Sequence, residues 1–113
     1  MNLGKPVIGI CLGCEIICKA FGGELEFMPE HEIGKKEFEI LDKSLAEKVG
    51  SRELIAFESH SLRIKKIPED FYEVVRSNHG PEIIKHKTKP IIGIQFHPEV
   101  GVTKKLWEWL FVL

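Results

Sequence analysis

The sequence predicts an α/β fold in which a central sheet is covered on both faces, and three observations carry that prediction. Two short runs, Val7–Ile10 and Ile91–Phe96, are almost continuously apolar, as in strands buried from both sides. After each run comes a segment whose apolar residues recur at helical spacing. Between them the chain reads as a succession of short strands marked by alternation or β-branched residues.

The elements follow in order. Val7–Ile10 leads straight into Gly9-Ile10-Cys11-Leu12-Gly13, a cysteine held between two glycines at a strand-to-helix turn. Such a turn forces its central residue into a strained backbone conformation and leaves little room for side chains two residues away. A helix is expected over Leu12–Phe21, with Ile16, Ile17, Ala20 and Phe21 as its apolar stripe and Gly22-Gly23 ending it. Strands are expected at Leu25–Met28, Glu37–Leu41, Leu54–Glu58, Tyr72–Arg76 and Glu82–His86, and the charges of Glu24–Lys36 read as a solvated loop or hairpin. A closing amphipathic helix over Thr103–Val112 carries Leu106, Trp107, Leu110 and Phe111, with Trp107, Trp109 and Phe111 as core packing. No linker, repeat or low-complexity tract divides the chain, so residues 1–113 read as one domain. The order is lopsided, because a doubly wound sheet built from it would lack partners on one side of its first strand.

Composition narrows the function. Sixteen basic and seventeen acidic residues give a net charge of −1, so no global field recruits nucleic acid or an anionic membrane. The opening residues form neither a signal peptide nor a membrane span, and a cytoplasmic protein is expected. All three cysteines fall between Cys11 and Cys18, which is no disulfide framework. One glutamine and two asparagines beside abundant Lys, Glu and Ile suggest a thermophilic source.

The chemistry concentrates in two places. Cys11 at a helix N-terminus is expected to be a reactive thiol, since unpaired N–H groups and the helix dipole favour thiolate. Gln95-Phe96-His97-Pro98-Glu99 follows the second apolar run and offers a base, His97, with a carboxylate, Glu99, to fix its tautomer. Both lie at carboxyl ends of expected strands, where open α/β sheets place ligands. Cys11-Leu12-Gly13-Cys14 also satisfies C-x-x-C, which keeps a redox or metal reading open, but His31, His60, His79 and His86 supply no second ligand pair of similar spacing. No metal or cofactor is therefore expected, and Cys18 reads as a small buried hydrophobe.

The two motifs, in this order and each after an apolar strand, resemble those of the class I or triad glutamine amidotransferases. Glu58-Ser59-His60 resembles the segment whose backbone contacts bound glutamine. The run from Lys66-Ile67-Pro68 through Lys89-Pro90-Ile91 is most similar to the amidotransferase subunits of GMP synthetases. The resemblance implies a flavodoxin-like three-layer fold, a mostly parallel central sheet with a small antiparallel meander. It implies Cys11, His97 and Glu99 as catalytic residues, the Leu12 N–H as an oxyanion donor, and Glu15, Ser59, His60 and Ser61 as substrate-binding residues. Glutamine is the implied substrate, and an ATP pyrophosphatase (synthetase) subunit is the implied partner and receives the ammonia.

Three departures shape further expectations. Cys14-Glu15 stands where the family has His-Gln, and the carboxylate of Glu15 is expected to raise the Cys11 thiol pKa against the helix dipole. Ser61-Leu62 stands where an aspartate linked to partner communication is usual. The family domain carries further strands and a glycine-rich loop upstream of the elbow. The chain is thus expected to be the C-terminal part of such a domain, with little or no glutaminase activity alone and a homo-oligomer or complementing chain to complete it. The alternative is a non-catalytic amidotransferase-like binding or regulatory module.

Overall fold

The computed structural model describes residues 5–99 and 104–110. Six strands and three helices follow one another as β1 (Val7–Ile10), α1 (Leu12–Ala20), β2 (Glu24–Ile40), α2 (Lys43–Val49), β3 (Glu53–Lys66), β4 (Phe71–Ser77), β5 (Gly80–His86), β6 (Ile91–Ile94) and α3 (Lys104–Leu110). The strands form one mixed sheet in the order β1-β6-β5-β4-β2-β3. Among the described residues only β1 and β6 run parallel, with Val7 opposite Ile91 and Ile10 opposite Ile94. The pairs β2–β3, β2–β4, β4–β5 and β5–β6 are antiparallel. The α/β expectation therefore holds, with the antiparallel meander making up most of the described sheet.

Apolar residues on consecutive positions are explained by burial on both faces. Ile83, Ile92 and Ile94 pack with Leu45 of α2 and Leu106, Trp109 and Leu110 of α3. Their neighbours Ile84 and Ile91 pack with Cys14, Ile17 and Cys18 of α1. Since alternate strand residues point to opposite faces, helices on both sides demand apolar residues at every position. Each fully buried Ile or Leu contributes about 1.5–3 kcal/mol to this arrangement.

Several local expectations shift. The buried face of α1 is Cys14, Glu15, Ile17 and Cys18, whereas Ile16 of the expected stripe is exposed and so is Ala20. Two cysteines in the small-hydrophobe role fit tight spaces: a Cβ on Gly93 of β6 would lie 2.8 Å from Cys14 Sγ, and the Cys18 thiol lies against the Glu24 and Lys66 carbonyls at the ends of β2 and β3. The expected loop or hairpin at Glu24–Lys36 is part of one strand, β2, which pairs with β3 along most of its length and shifts register between Phe27 and Glu32. Its exposed charges had masked a ladder whose partner strand lies far along the chain. Helix α2 was not expected, although its signals are present: Asp42 Oδ1 accepts from Leu45 N at 2.9 Å, and Gly50 closes the helix at φ 80°. Trp109 Nε1 donates to Ser44 Oγ at 2.8 Å and ties α3 to α2. The expected strand to Phe96 ends at Ile94: Gln95 N still donates to Glu82 O of β5 at 2.7 Å, and by His97 the chain has turned to β3, its N–H donating to Phe57 O at 2.8 Å. Thr103, Phe111 and Val112, expected in the last helix, lie outside the described residues. Among the described residues no helix is long and apolar enough to cross a membrane.

Candidate active site

The sheet curls, and its two edge strands meet where the expected site residues gather. On one side the chain leaves β1 through Cys11, whose N–H donates to Ile94 O at 2.6 Å and whose carbonyl accepts from Glu15 N at 3.1 Å. Cys11 has φ 52° and ψ −102°, and it is the one non-glycine residue with positive φ among those described. That conformation costs about 1–3 kcal/mol and is held by the strand before it and the helix after it. Gly9 permits the close packing of the turn, since a Cβ there would lie 2.6 Å from both Gly13 O and Ile17 Cδ1. At Gly13 the expected crowding is absent, because a Cβ would have no described neighbour within 4 Å.

On the other side β3 supplies two anchors. The Cys11 thiol donates to the Ser59 carbonyl at 3.7 Å. His97 N donates to the Phe57 carbonyl at 2.8 Å. Carbonyls two residues apart in a strand face one edge and are separated by about 7 Å along it. One edge of β3 thus brings together two residues far apart in sequence. His97 Nδ1 lies 3.2 Å from Glu99 Oε2, so Nδ1–H donates to the carboxylate and Nε2 keeps its lone pair. Among the described residues neither His97 Nε2 nor the Cys11 thiol is hydrogen-bonded to the other.

Burial pushes the Cys11 thiol above its ordinary value, Glu15 and Glu99 add to the rise, and the Leu12 N–H opposes it. The raising effect of Glu15 and the lowering effect of the helix N-terminus both match expectation, and burial outweighs the latter. The other thiols are higher still: burial drives Cys14 well up and Cys18 to about 11, and all three cysteines are free. Glu15 itself is buried, and its Oε2 accepts from Gln95 Nε2 at 2.8 Å.

Strand alternation splits Ser59, His60 and Ser61. The hydroxyls of Ser59 and Ser61 lie 3.0 and 2.7 Å from the two ring nitrogens of His31. His60 points to the opposite face, with Nδ1 2.7 Å from Leu62 O and Nε2 3.2 Å from Glu58 Oε2. Burial lowers the His60 pKa, but Glu58 and other neighbours raise it to a net value above the ordinary one. Burial also pushes the Glu82 carboxyl up to about 8. Sequence reasoning placed Glu58 in this segment but missed its buried pairing with His60, and missed His31 and Glu82 as polar residues around it. The alternation of Glu58, His60 and Leu62 against Ser59 and Ser61 was the signal available.

The family model for class-I glutamine amidotransferases matches residues 1–112. One subunit of the glutamine-hydrolyzing GMP synthase of Pyrococcus furiosus is 42% identical over 100 residues, which cover 88% of this chain and 53% of that protein. The corresponding subunit of Methanocaldococcus jannaschii is 39% identical over 105 residues, covering 92% and 56%. A crystal structure of a proposed GMP synthase subunit from Thermoplasma acidophilum matches with a TM-score of 0.83 at 28% identity, covering 95% of this chain and 56% of that one. The chain spans about half the length of the curated relatives it matches.

Proposed function

Because the chain belongs to the class-I glutamine amidotransferases, we propose that Cys11 is the nucleophile of a glutaminase half-reaction that supplies ammonia to a synthetase partner of the GMP synthase type. His97 Nε2 takes the thiol proton, and sulfur attacks the side-chain amide carbon of glutamine. The oxyanion forms beside the Leu12 N–H. As the C–N bond breaks, His97 returns the proton to the leaving nitrogen and ammonia departs. Water, deprotonated by His97, then hydrolyses the γ-glutamyl thioester to glutamate and regenerates the thiol. Glu99 holds Nδ1–H and stabilises the imidazolium. Glu15, Ser59, His60 and Ser61 remain the substrate-side residues of this reading, with Glu15 acting through Gln95 and the β3 residues through their backbone, since the His60 side chain points to the opposite face. An ATP pyrophosphatase subunit is the proposed receiver of ammonia.

The observation that supports this reading most is the common β3 edge, from which Phe57 O and Ser59 O hold the His97 backbone and the Cys11 thiol. The test is labelling with a glutamine-analogue electrophile followed by peptide mass mapping. The expected result is one adduct on Cys11 that excess glutamine suppresses. Adducts on Cys14 or Cys18, or labelling indifferent to glutamine, would overturn the proposal.

A further inference from the structure

Behind the Cys11 side of β3 lies a second cluster, Glu58, His60 and Glu82, with relative exposures of 0%, 4% and 1%. One donor atom from each lies within 4.8 Å of the others. His60 Nδ1 is 2.7 Å from the Leu62 carbonyl, and a carbonyl only accepts, so Nδ1 carries hydrogen. A neutral ring then presents a lone pair at Nε2. That lone pair faces Glu58 Oε2 at 3.2 Å, and an ionised carboxylate likewise only accepts.

A cation must stand between two such acceptors. A proton would satisfy this one contact and leave the rest of the cluster bare: Glu58 Oε1 and Glu82 Oε1 are both buried without a hydrogen-bond partner among the described residues. The other Glu82 oxygen, Oε2, accepts from Ser77 Oγ at 2.6 Å. Leaving carboxylate oxygens dry and unpaired is costly. One divalent ion would engage all three side chains, displacing the proton that burial keeps on the Glu82 carboxyl, and balance the two carboxylate charges.

We infer that Glu58, His60 and Glu82 form a binding site for a single divalent transition-metal ion of the zinc class. The donor set, one imidazole and two carboxylates, is that of such ions, and a histidine whose far nitrogen is fixed by a carbonyl is the usual ligating arrangement. Two ligands about 2.0–2.1 Å from one ion at a tetrahedral angle stand about 3.3 Å apart, close to the His60–Glu58 separation of 3.2 Å. Glu32 and His79 flank the cluster: half-buried, their side chains meet at 3.1 Å and their donor atoms also lie within 4.8 Å of Glu58. The ion would fix the stretch of β3 from Phe57 to His60, which carries both carbonyl anchors of the candidate active site.

Cobalt(II) and zinc(II) are the probes, added to the chelator-stripped 113-residue chain. Native mass spectrometry is expected to count one ion per chain. The cobalt form is expected to show visible d–d bands with no sulfur-to-cobalt charge transfer, which excludes the three cysteines. Glu58→Gln and Glu82→Gln, both near-isosteric, are expected to lose stoichiometric binding while circular dichroism stays unchanged. His79→Ala is expected to keep the stoichiometry and slow loading. Absence of bound metal, a thiolate band, retention of the ion by both Gln variants, or its loss only in His79→Ala would each overturn the assignment.

Discussion

Two histidine–glutamate pairs in this molecule share residue types, a two-residue spacing and a separation of 3.2 Å, and they differ in almost everything else. His97 and Glu99 stand at the rim, with side-chain exposures of 27% and 55%, and meet through Nδ1. His60 and Glu58 are buried, with exposures of 2% and 1%, and meet through Nε2 while Nδ1 is tied to Leu62 O. The rim pair leaves one nitrogen free for proton transfer to a neighbour. The buried pair has both nitrogens committed and cannot shuttle a proton to substrate. Solvent exposure and choice of nitrogen, rather than distance, separate a candidate acid–base pair from a clamp inside the fold.

The largest effect should come from the rim. His97→Asn is expected to slow labelling of Cys11 by a glutamine-analogue electrophile about 10⁴-fold, the scale of losing a triad member. His60→Ala should leave the Cys11 thiol chemically competent, and equal kinetic losses in the two variants would break the distinction. The buried pair should dominate stability instead. In denaturant titrations with chelator present, His60→Ala is expected to cost about 3–5 kcal/mol, because it strips a partner from a buried carboxylate. Glu99→Gln should cost less than about 1 kcal/mol, as expected for an exposed ion pair.

Thiol reactivity gives a smaller effect that depends on pH. Because burial, Glu15 and Glu99 raise the Cys11 thiol, its alkylation by a neutral reagent should climb with pH and reach its plateau above the pH of an unperturbed thiol. Glu15→Gln removes one raising charge, so the whole profile should move to lower pH with the plateau unchanged. No shift would show that the Glu15–Gln95 contact insulates the sulfur, and a shift to higher pH would contradict a raising role for Glu15. The finest test is Gly13→Ala, whose Cβ meets open space among the described residues; labelling and stability should change by no more than about 1 kcal/mol. Gly9→Ala, set against two contacts at 2.6 Å, should destabilise measurably more.

Legibility followed the range of the interactions. The elbow at Cys11 and the strand β1 were readable because one short segment contains strand, turn and helix start. The stretch from Gln95 to Glu99 was readable because His97 and its carboxylate are near neighbours in sequence. Helix α2 was missed despite Asp42 and Gly50, since seven residues carry too little periodicity to stand out. The burial of Cys14 and Cys18, in place of Ile16 and Ala20, depended on the close approach of α1 to β6 at Cys14 and to the ends of β2 and β3 at Cys18. Strand β2 was misread where its charged residues looked solvated, because its partner β3 could not be inferred from local pattern.

By itself the sequence determined a cysteine elbow, a His-Pro-Glu motif and the family to which such a pair belongs. These are short-range patterns whose steric and chemical demands are met by adjacent residues. Tertiary structure alone decided that the curled sheet brings the edge of β3 to both Cys11 and His97. It alone gathered Glu58 and His60 with Glu82, drawn from β3 and β5. Long-range pairing sets which strand faces meet and which polar groups lose water together, and no local spacing encodes either.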